Sequence, residues 1–388
     1  MVNTQTINVP LTINTRIYRV TTSTFFFIAG LTFSTWASRI PDIKNKLLLN
    51  DAALGLVLFA LPIGQLVSLP ISAWLTNRLG SKTLVVVSAL LYPLTLLMLA
   101  LAATIWQLVF ALFLFGLFAN SINIAMNTQA VGVEKFYGRS IMASFHGLWS
   151  LACFGGALIG SLFVSTGISP LVHFSIICVV TGLLVLITHK HTLPNDTGAA
   201  KSQPLFLKPN KRLLILGLIA FCCMVCEGAM ADWSGVYFEK VVHAPAAYIT
   251  LGYVAFTSTM ATGRFLGDWL VTKLGVKRML QLSGAGIFAG LMISISLPYL
   301  VTAIIGFLLV GFGVSSVVPI VYGIAGKSTN ISASIALAAV STIGFLGFLM
   351  GPPVIGFIAQ LANLRFSFAI IAVLGLGTII LAGKVRGK

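Results

Sequence analysis

The sequence predicts an all-α integral membrane protein of twelve transmembrane helices, arranged as two pseudo-symmetric six-helix bundles. Three observations carry that prediction. Only 8% of the 388 residues are charged and 58% are hydrophobic, whereas a soluble chain has about 25% charged residues. Such a chain cannot cover a water-facing surface, so lipid is its main solvent. Second, residues 83–133 and 140–189 contain no Asp, Glu, Lys or Arg, and 279–328 is broken only by Lys327. One crossing needs about 20 apolar residues, so each run holds two helices and a tight hairpin. Third, a basic turn recurs. Leu75-Thr76-Asn77-Arg78-Leu79-Gly80-Ser81-Lys82 returns 195 residues later as Leu270-Val271-Thr272-Lys273-Leu274-Gly275-Val276-Lys277-Arg278. Each copy sits between two long apolar runs, which indicates duplication of a membrane unit.

The apolar runs place helices at 20–40, 52–76, 83–103, 106–132, 140–165, 169–189, 212–238, 247–271, 278–298, 300–325, 333–361 and 365–383. With a cytoplasmic N-terminus, the inner loops and tails carry 18 Lys and Arg, while the outer loops carry four: Lys44, Lys46, Lys240 and Arg365. That asymmetry places both termini in the cytoplasm. The net charge of +16 is therefore an orientation signal, and no nucleic-acid partner is predicted. Residues 1–19 form a cytoplasmic tail rather than a cleaved signal, because 19 mostly polar residues precede an apolar run long enough to span. Residues 20–189 form the first half. A polar, basic connector follows at 190–211, with Pro194, Pro204, Pro209, Lys190, Lys201, Lys208 and Lys211. Residues 212–388 form the second half and a short tail. The five cysteines all fall in predicted helices. Cys223 and Cys226 read as small apolar packing, with no second pair to support a metal site.

The repeat extends beyond the turn. Trp36 matches Trp233 at a shift of 197, and Gly116, Ser121 and Gly156 match Gly311, Ser316 and Gly351 at 195. Parallel halves of six helices, with this turn between the second and third, resemble the major facilitator superfamily over essentially the whole chain. The family's turn reads Gly-x-Leu-x-Asp-Arg-x-Gly-Arg-Lys. Arg78, Gly80 and Lys82 match it; Ala73, Asn77 and Ser81 depart from it. Four segments resemble a bacterial inner-membrane permease group near the fucose-permease-like branch. They are Trp36-Ala37-Ser38-Arg39-Ile40-Pro41, Ala125-Met126-Asn127-Thr128-Gln129-Ala130, Phe145-His146-Gly147-Leu148-Trp149-Ser150, and Glu227-Gly228-Ala229 with Asp232-Trp233-Ser234.

Glu227 and Asp232 are the sharpest chemical candidates. An ionisable group inside a membrane costs about 2.5–3.5 kcal/mol on insertion scales and is a functional hypothesis by default. Either can take up and release a proton; the alternative is a structural ion pair. Their spacing of five residues puts them about 140° apart on a helix, so they do not share one site. Arg39, just before Pro41, either snorkels to the outer interface or pairs with Asp232 as an outer gate. Asn120, Asn123 and Asn127 form a polar stripe with Ser121 and Gln129. Inside lipid it faces protein or a water-filled cavity. The resemblance implies that helices 1, 4, 7 and 10 line that cavity, which makes these asparagines, Trp36, Trp233 and Tyr322 candidate substrate contacts. Interhelical hydrogen bonds are the alternative for the asparagines, and interface anchoring for the tryptophans. His146 is either a proton relay or a packing residue. Arg264 and Asp268, spaced i,i+4, read with Arg78 and Lys82 as a gating cluster at the cytoplasmic end.

The spacing Gly147, Gly156, Gly160 resembles part of the antiporter motif of drug exporters. Ser161 stands where those have Pro, and Leu112 where they have an intramembrane Arg. No nucleotide loop, nucleophile elbow or paired-cysteine zinc spacing is present. The chain thus reads as no enzyme and as needing no cofactor. The resemblance implies a secondary active transporter that moves a small polar solute, a sugar or related metabolite, across the inner membrane by alternating access. It would be a symporter driven by protons, with sodium as the other option, and a monomer in the lipid bilayer. A proton-driven exporter of drugs or metabolites is the alternative, and a non-transporting membrane sensor a more distant one.

Overall fold

The computed structural model describes residues 15–137, 141–194, 210–327 and 333–385. Among these, nearly every residue is helical and no strand forms. The helices are α1 (Thr15–Ala37), α2 (Ile40–Lys46), α3 (Asp51–Leu58), α4 (Ala60–Leu101), α5 (Ile105–Tyr137), α6 (Met142–Ser165) and α7 (Pro170–Thr188). The second set is α8 (Lys211–Lys240), α9 (Leu251–Leu274), α10 (Val276–Ser296), α11 (Leu300–Ser315), α12 (Val317–Gly326), α13 (Ala333–Leu361) and α14 (Leu364–Gly383). Asn50, Ser169, Asn210 and Asn363 start α3, α7, α8 and α14, each accepting the backbone N–H three residues on. These side chains satisfy donors that a helix start leaves open.

Nine stretches among the described residues are long and apolar enough to cross a membrane. One of them, Asp51–Leu101, reverses at Gly80 and makes two crossings. Helices α1 and α9 complete the twelve expected crossings. They are more polar than the rest because they carry groups such as Arg19, Thr21, Thr22, Arg264 and Asp268. The first helix begins at Thr15, a turn earlier than its apolar run. The tenth crossing is broken at Ser316 instead of running unbroken over 300–325. Pro319 explains the break: it has no N–H for the Ser315 carbonyl, and its ring crowds that oxygen.

The duplication is visible atom by atom. Gly80 (φ 80°, ψ 156°) and Gly275 (φ 77°, ψ 154°) turn the chain identically. Two residues earlier, Arg78 lies 5.2 Å over the Trp74 ring, and Lys273 lies 4.1 Å over the Trp269 ring. A Cβ on Gly116 would strike the Leu61 carbonyl, and one on Gly311 the Phe256 carbonyl. The same crossing of second on fourth helix thus recurs as eighth on tenth. Its detail differs: Ser68 and Ser72 bond Ser121 at 3.0 and 2.8 Å, whereas Gly263 and Gly267 lie against Ser315 and Ser316. Small residues are what let membrane helices approach this closely.

Most of the predicted connector, residues 195–209, lies outside the described residues. Its first part is held down. Buried Gln129 accepts from the Leu193 N–H at 3.0 Å and donates to the Leu193 carbonyl at 3.3 Å and to Ser81 Oγ at 2.7 Å.

Candidate functional site

Glu227 sits near the middle of α8 and is 21% exposed. Its Oε1 lies 3.3 Å from Arg264 Nη2, on α9 of the same bundle. The Arg264 guanidinium then reaches into the other bundle. Nη1 donates to Ser150 Oγ at 2.6 Å, and Cζ lies 5.4 Å over the Trp149 ring. Trp149 in turn stacks on Phe33 at 6.4 Å. His146, one turn earlier on α6, is exposed, meets the Phe26 ring edge-on at 5.2 Å and lies within electrostatic range of Arg264. Tyr322 lies within the same range of Glu227. Residues from α6, α8 and α9 thus meet at one charged point between the bundles, with α1 packed behind Trp149 and His146. Arg264 pairs with Glu227; among the described residues no ion pair links it to Asp268. Asp268 is exposed and lines a cavity of about 250 Å³ with Arg264, Ser315, Ser316 and Lys327. Ser150 carried no signal of its own in the sequence.

Asp232 lies farther along α8 and is different in kind. It is 7% exposed and makes no hydrogen bond or ion pair among the described residues. Tyr253, 3% exposed, is within its electrostatic range. Trp36 and Trp233 are 1% and 0% exposed, and neither Nε1 finds a partner among the described residues. Such burial excludes interface anchoring for both. A buried unpaired donor costs about 1–3 kcal/mol, so each indole is held at some expense in the present state.

Arg39 does not reach Asp232. It is 2% exposed and bonds Asp42 at 3.0 Å, His173 Nδ1 at 3.2 Å and the Ile168 carbonyl at 2.8 Å. Those three partners fix it within its own bundle. Of the asparagines, Asn120 donates to the Gln65 carbonyl at 3.1 Å and joins two helices. Asn127 Nδ2 donates to the Asn123 carbonyl at 2.8 Å and to its Oδ1 at 3.0 Å. Asn123 is exposed and Asn127 half-buried. That leaves Asn123 Nδ2 and Asn127 Oδ1 available, a donor and an acceptor side by side. Arg78 and Lys82 stay on the basic turn.

The face opposite the basic turns is sealed by contacts the sequence did not reveal. Asp51 Oδ1 receives both Lys44 and Lys240, each at 2.9 Å. Asn45 donates to Glu239 at 2.7 Å. Gly235 packs on Pro41, and Gly55 and Gly356 bring α3 against α13. Each of these joins the two bundles except Lys44–Asp51. Burial, reinforced by Lys240, pulls the Lys44 ammonium below its ordinary lysine value against the attraction of Asp51. Among the described residues, no three His, Cys, Asp or Glu side chains are grouped to hold a metal ion.

The Major Facilitator Superfamily model matches residues 22–335 and 243–387. An uncharacterized MFS-type transporter of Yersinia pestis is 37% identical over 356 residues, 92% of this chain and 92% of that protein. Membrane protein MosC of Rhizobium meliloti is 31% identical over 362 residues, 93% of this chain and 88% of its own length. A crystal structure of a mutant of the nucleoside transporter NupG superposes with a TM-score of 0.76 at 13% identity, covering 95% of this chain and 99% of that one. At that identity the likeness speaks for the fold alone. A duplicated twelve-helix architecture, a family model spanning both bundles and a 37%-identical relative together place the chain in the major facilitator superfamily, as a non-enzymatic, multi-pass membrane transporter.

Proposed function

We propose that this transporter is a proton-coupled symporter of a small polar solute, a sugar or related metabolite, working by alternating access in the inner membrane with both termini cytoplasmic. Residues 20–189 and 212–388 move as two bodies joined by the connector at 190–211. The observation that carries the reading is that Arg264 is shared between Glu227 of its own bundle and Ser150 and Trp149 of the other. While Glu227 is ionised, it holds the guanidinium in place and the bundles stay bridged at mid-membrane. A proton on Glu227 removes the charge attraction, frees Arg264 to move, and lets the bundles pivot. Proton occupancy and inter-bundle contact are thereby linked, as coupling requires. Asp232 is a second carboxyl, out of reach of a cation and beside the sealed face, positioned to take up a proton once that face opens. Asn123 and Asn127 offer the donor and acceptor that a hydroxyl-bearing solute needs.

The test has two stages. Thermal unfolding of the purified protein is screened against sugars, nucleosides, amino acids and cationic drugs, at about pH 5.5 and about pH 7.5, because a ligand of the folded state raises the melting point by mass action. The hit is then followed in proteoliposomes. Glu227→Gln should abolish accumulation driven by a pH gradient while leaving solute exchange intact. Accumulation unaffected by the substitution rules out Glu227 as the coupling group. Dependence on sodium in place of the pH gradient rules out proton coupling, and uptake only into inverted vesicles with an acidic lumen reverses the direction.

A further inference from the structure

Helices α1, α6 and α7 leave a groove of about 350 Å³ lined by Arg19, Val20, Ser23, Thr24, Phe27, Leu148 and Leu184. Its position in the membrane follows from the helix ends. Arg19 stands four residues inside the start of α1 and Phe27 twelve. At 1.5 Å per residue the groove runs about 12 Å inward from Arg19. Leu148 lies six residues into α6, and Leu184 four residues before the end of α7. All three helices therefore place their lining residues in one leaflet, the one on the face that carries the basic turns. α7 borders the groove and exposes Leu183, Leu186 and Ile187 beside it, which puts the opening on the lipid-facing flank.

The polar groups collect at the shallow end. Arg19 pairs with no carboxylate among the described residues. It makes one long hydrogen bond, Nη2 to Ser144 Oγ at 3.4 Å, and lies 5.4 Å over the Tyr137 ring. Ser23 makes no hydrogen bond among the described residues, while Thr24 donates to the Val20 carbonyl at 3.0 Å. Deeper in, Phe27, Leu148 and Leu184 present only carbon. A cation at headgroup depth above an apolar channel at acyl depth is complementary to one kind of molecule. We propose that this groove binds an anionic phospholipid of that leaflet. Its phosphate would sit on the free edge of the Arg19 guanidinium, with Ser23 Oγ donating to a headgroup oxygen. One acyl chain would lie along Val20, Phe27 and Leu184. Tyr137 covers one face of the guanidinium and so orients its edge.

Thermal unfolding of the delipidated protein in detergent tests this. Phosphatidylglycerol should give a saturable rise in melting temperature. Phosphatidylcholine and inorganic phosphate should not. One Arg near a charged leaflet contributes about 1 kcal/mol, so Arg19→Gln should weaken the apparent phosphatidylglycerol affinity about fivefold. Leu184→Trp keeps Arg19 but fills the channel and should weaken it too. Lys211→Gln, an exposed basic change on the same face, should leave it unchanged. Each variant's melting temperature without lipid controls for folding. Equal shifts with phosphatidylcholine would overturn the charge basis. An equal shift with inorganic phosphate would make this an aqueous anion site. An undiminished response in Arg19→Gln, or an equal loss in Lys211→Gln, would remove the groove as the binding site. None of these readouts depends on the transport reaction.

Discussion

Gly80 and Gly275, 195 residues apart in sequence, hold the same backbone conformation to within 3° in φ and 2° in ψ. With φ near +80° and ψ near +155°, both occupy a region open essentially to glycine alone, where another residue costs about 1–3 kcal/mol. The turn between second and third helices, and its copy between eighth and ninth, therefore depends on a missing side chain. Gly80→Ala and Gly275→Ala should each destabilise by about 1–3 kcal/mol, and by similar amounts. A Cβ on Gly275 would meet open space, so the loss there is conformational and not a clash. Thermal unfolding of the two variants side by side would show it, and a neutral Gly275→Ala would contradict the assigned backbone.

The paired helix crossings make a steric prediction. Gly116 lies on the Leu61 carbonyl and Gly311 on the Phe256 carbonyl. In both cases the obstacle is backbone, which cannot rotate away. Overpacking of this kind costs about 1–3 kcal/mol. Gly116→Ala and Gly311→Ala should both lower stability in that range, while Gly182→Ala, which meets nothing within 4 Å, should be close to neutral. Folding yield and melting temperature of the three variants are sufficient readouts.

The seal on the face away from the basic turns should respond unequally to its members. Asp51 accepts two lysines, of which Lys44 is 3% exposed and Lys240 43% exposed. Asp51→Asn leaves the buried Lys44 ammonium without an anion and should cost about 3 kcal/mol. Lys240→Gln keeps the Lys44 pair and should cost less than about 1 kcal/mol. Equal losses would show that the two pairs are not ordered as described. With Asn45 and Glu239 both replaced by cysteine, oxidation should tie the bundles together and stop transport; transport that continues would mean this face does not open.

Arg264 and Glu227 are coupled, and a double-mutant cycle measures it. Arg264→Gln strips a partly buried carboxylate of its cation and should cost about 2 kcal/mol, in the range for charge-assisted hydrogen bonds. Adding Glu227→Gln should recover part of that loss, because the orphaned charge is gone. Additive losses would mean the 3.3 Å pair is energetically idle. Ser150→Ala alone should have a smaller effect, since Arg264 keeps Glu227 and the Trp149 ring.

The number of crossings was legible because it depends on hydropathy and length, which are local. The charge-free stretches gave most helices to within a few residues, and the basic turns gave the duplication. The break at Ser316 was written in Pro319, a signal present in the sequence. Candidate residues were found by type: an acid, a cation or an indole inside an apolar run stands out. Their partners were not.

What the sequence determined by itself was the solvent, the number of spans and the twofold repeat. These follow from composition, hydropathy and the recurrence of the basic turn. The tertiary structure alone decided that Arg264 meets Glu227 and Ser150 and leaves Asp268 aside, that Arg39 serves His173 and Asp42, that Asp232 has no partner among the described residues, and that Asp51 reaches Lys240, 189 residues away. The reason is geometric. A helix fixes which residues share its own faces, but not its rotation or axial offset against a neighbour. A side-chain pair needs both to within an ångström or so, and only the packed bundle sets them.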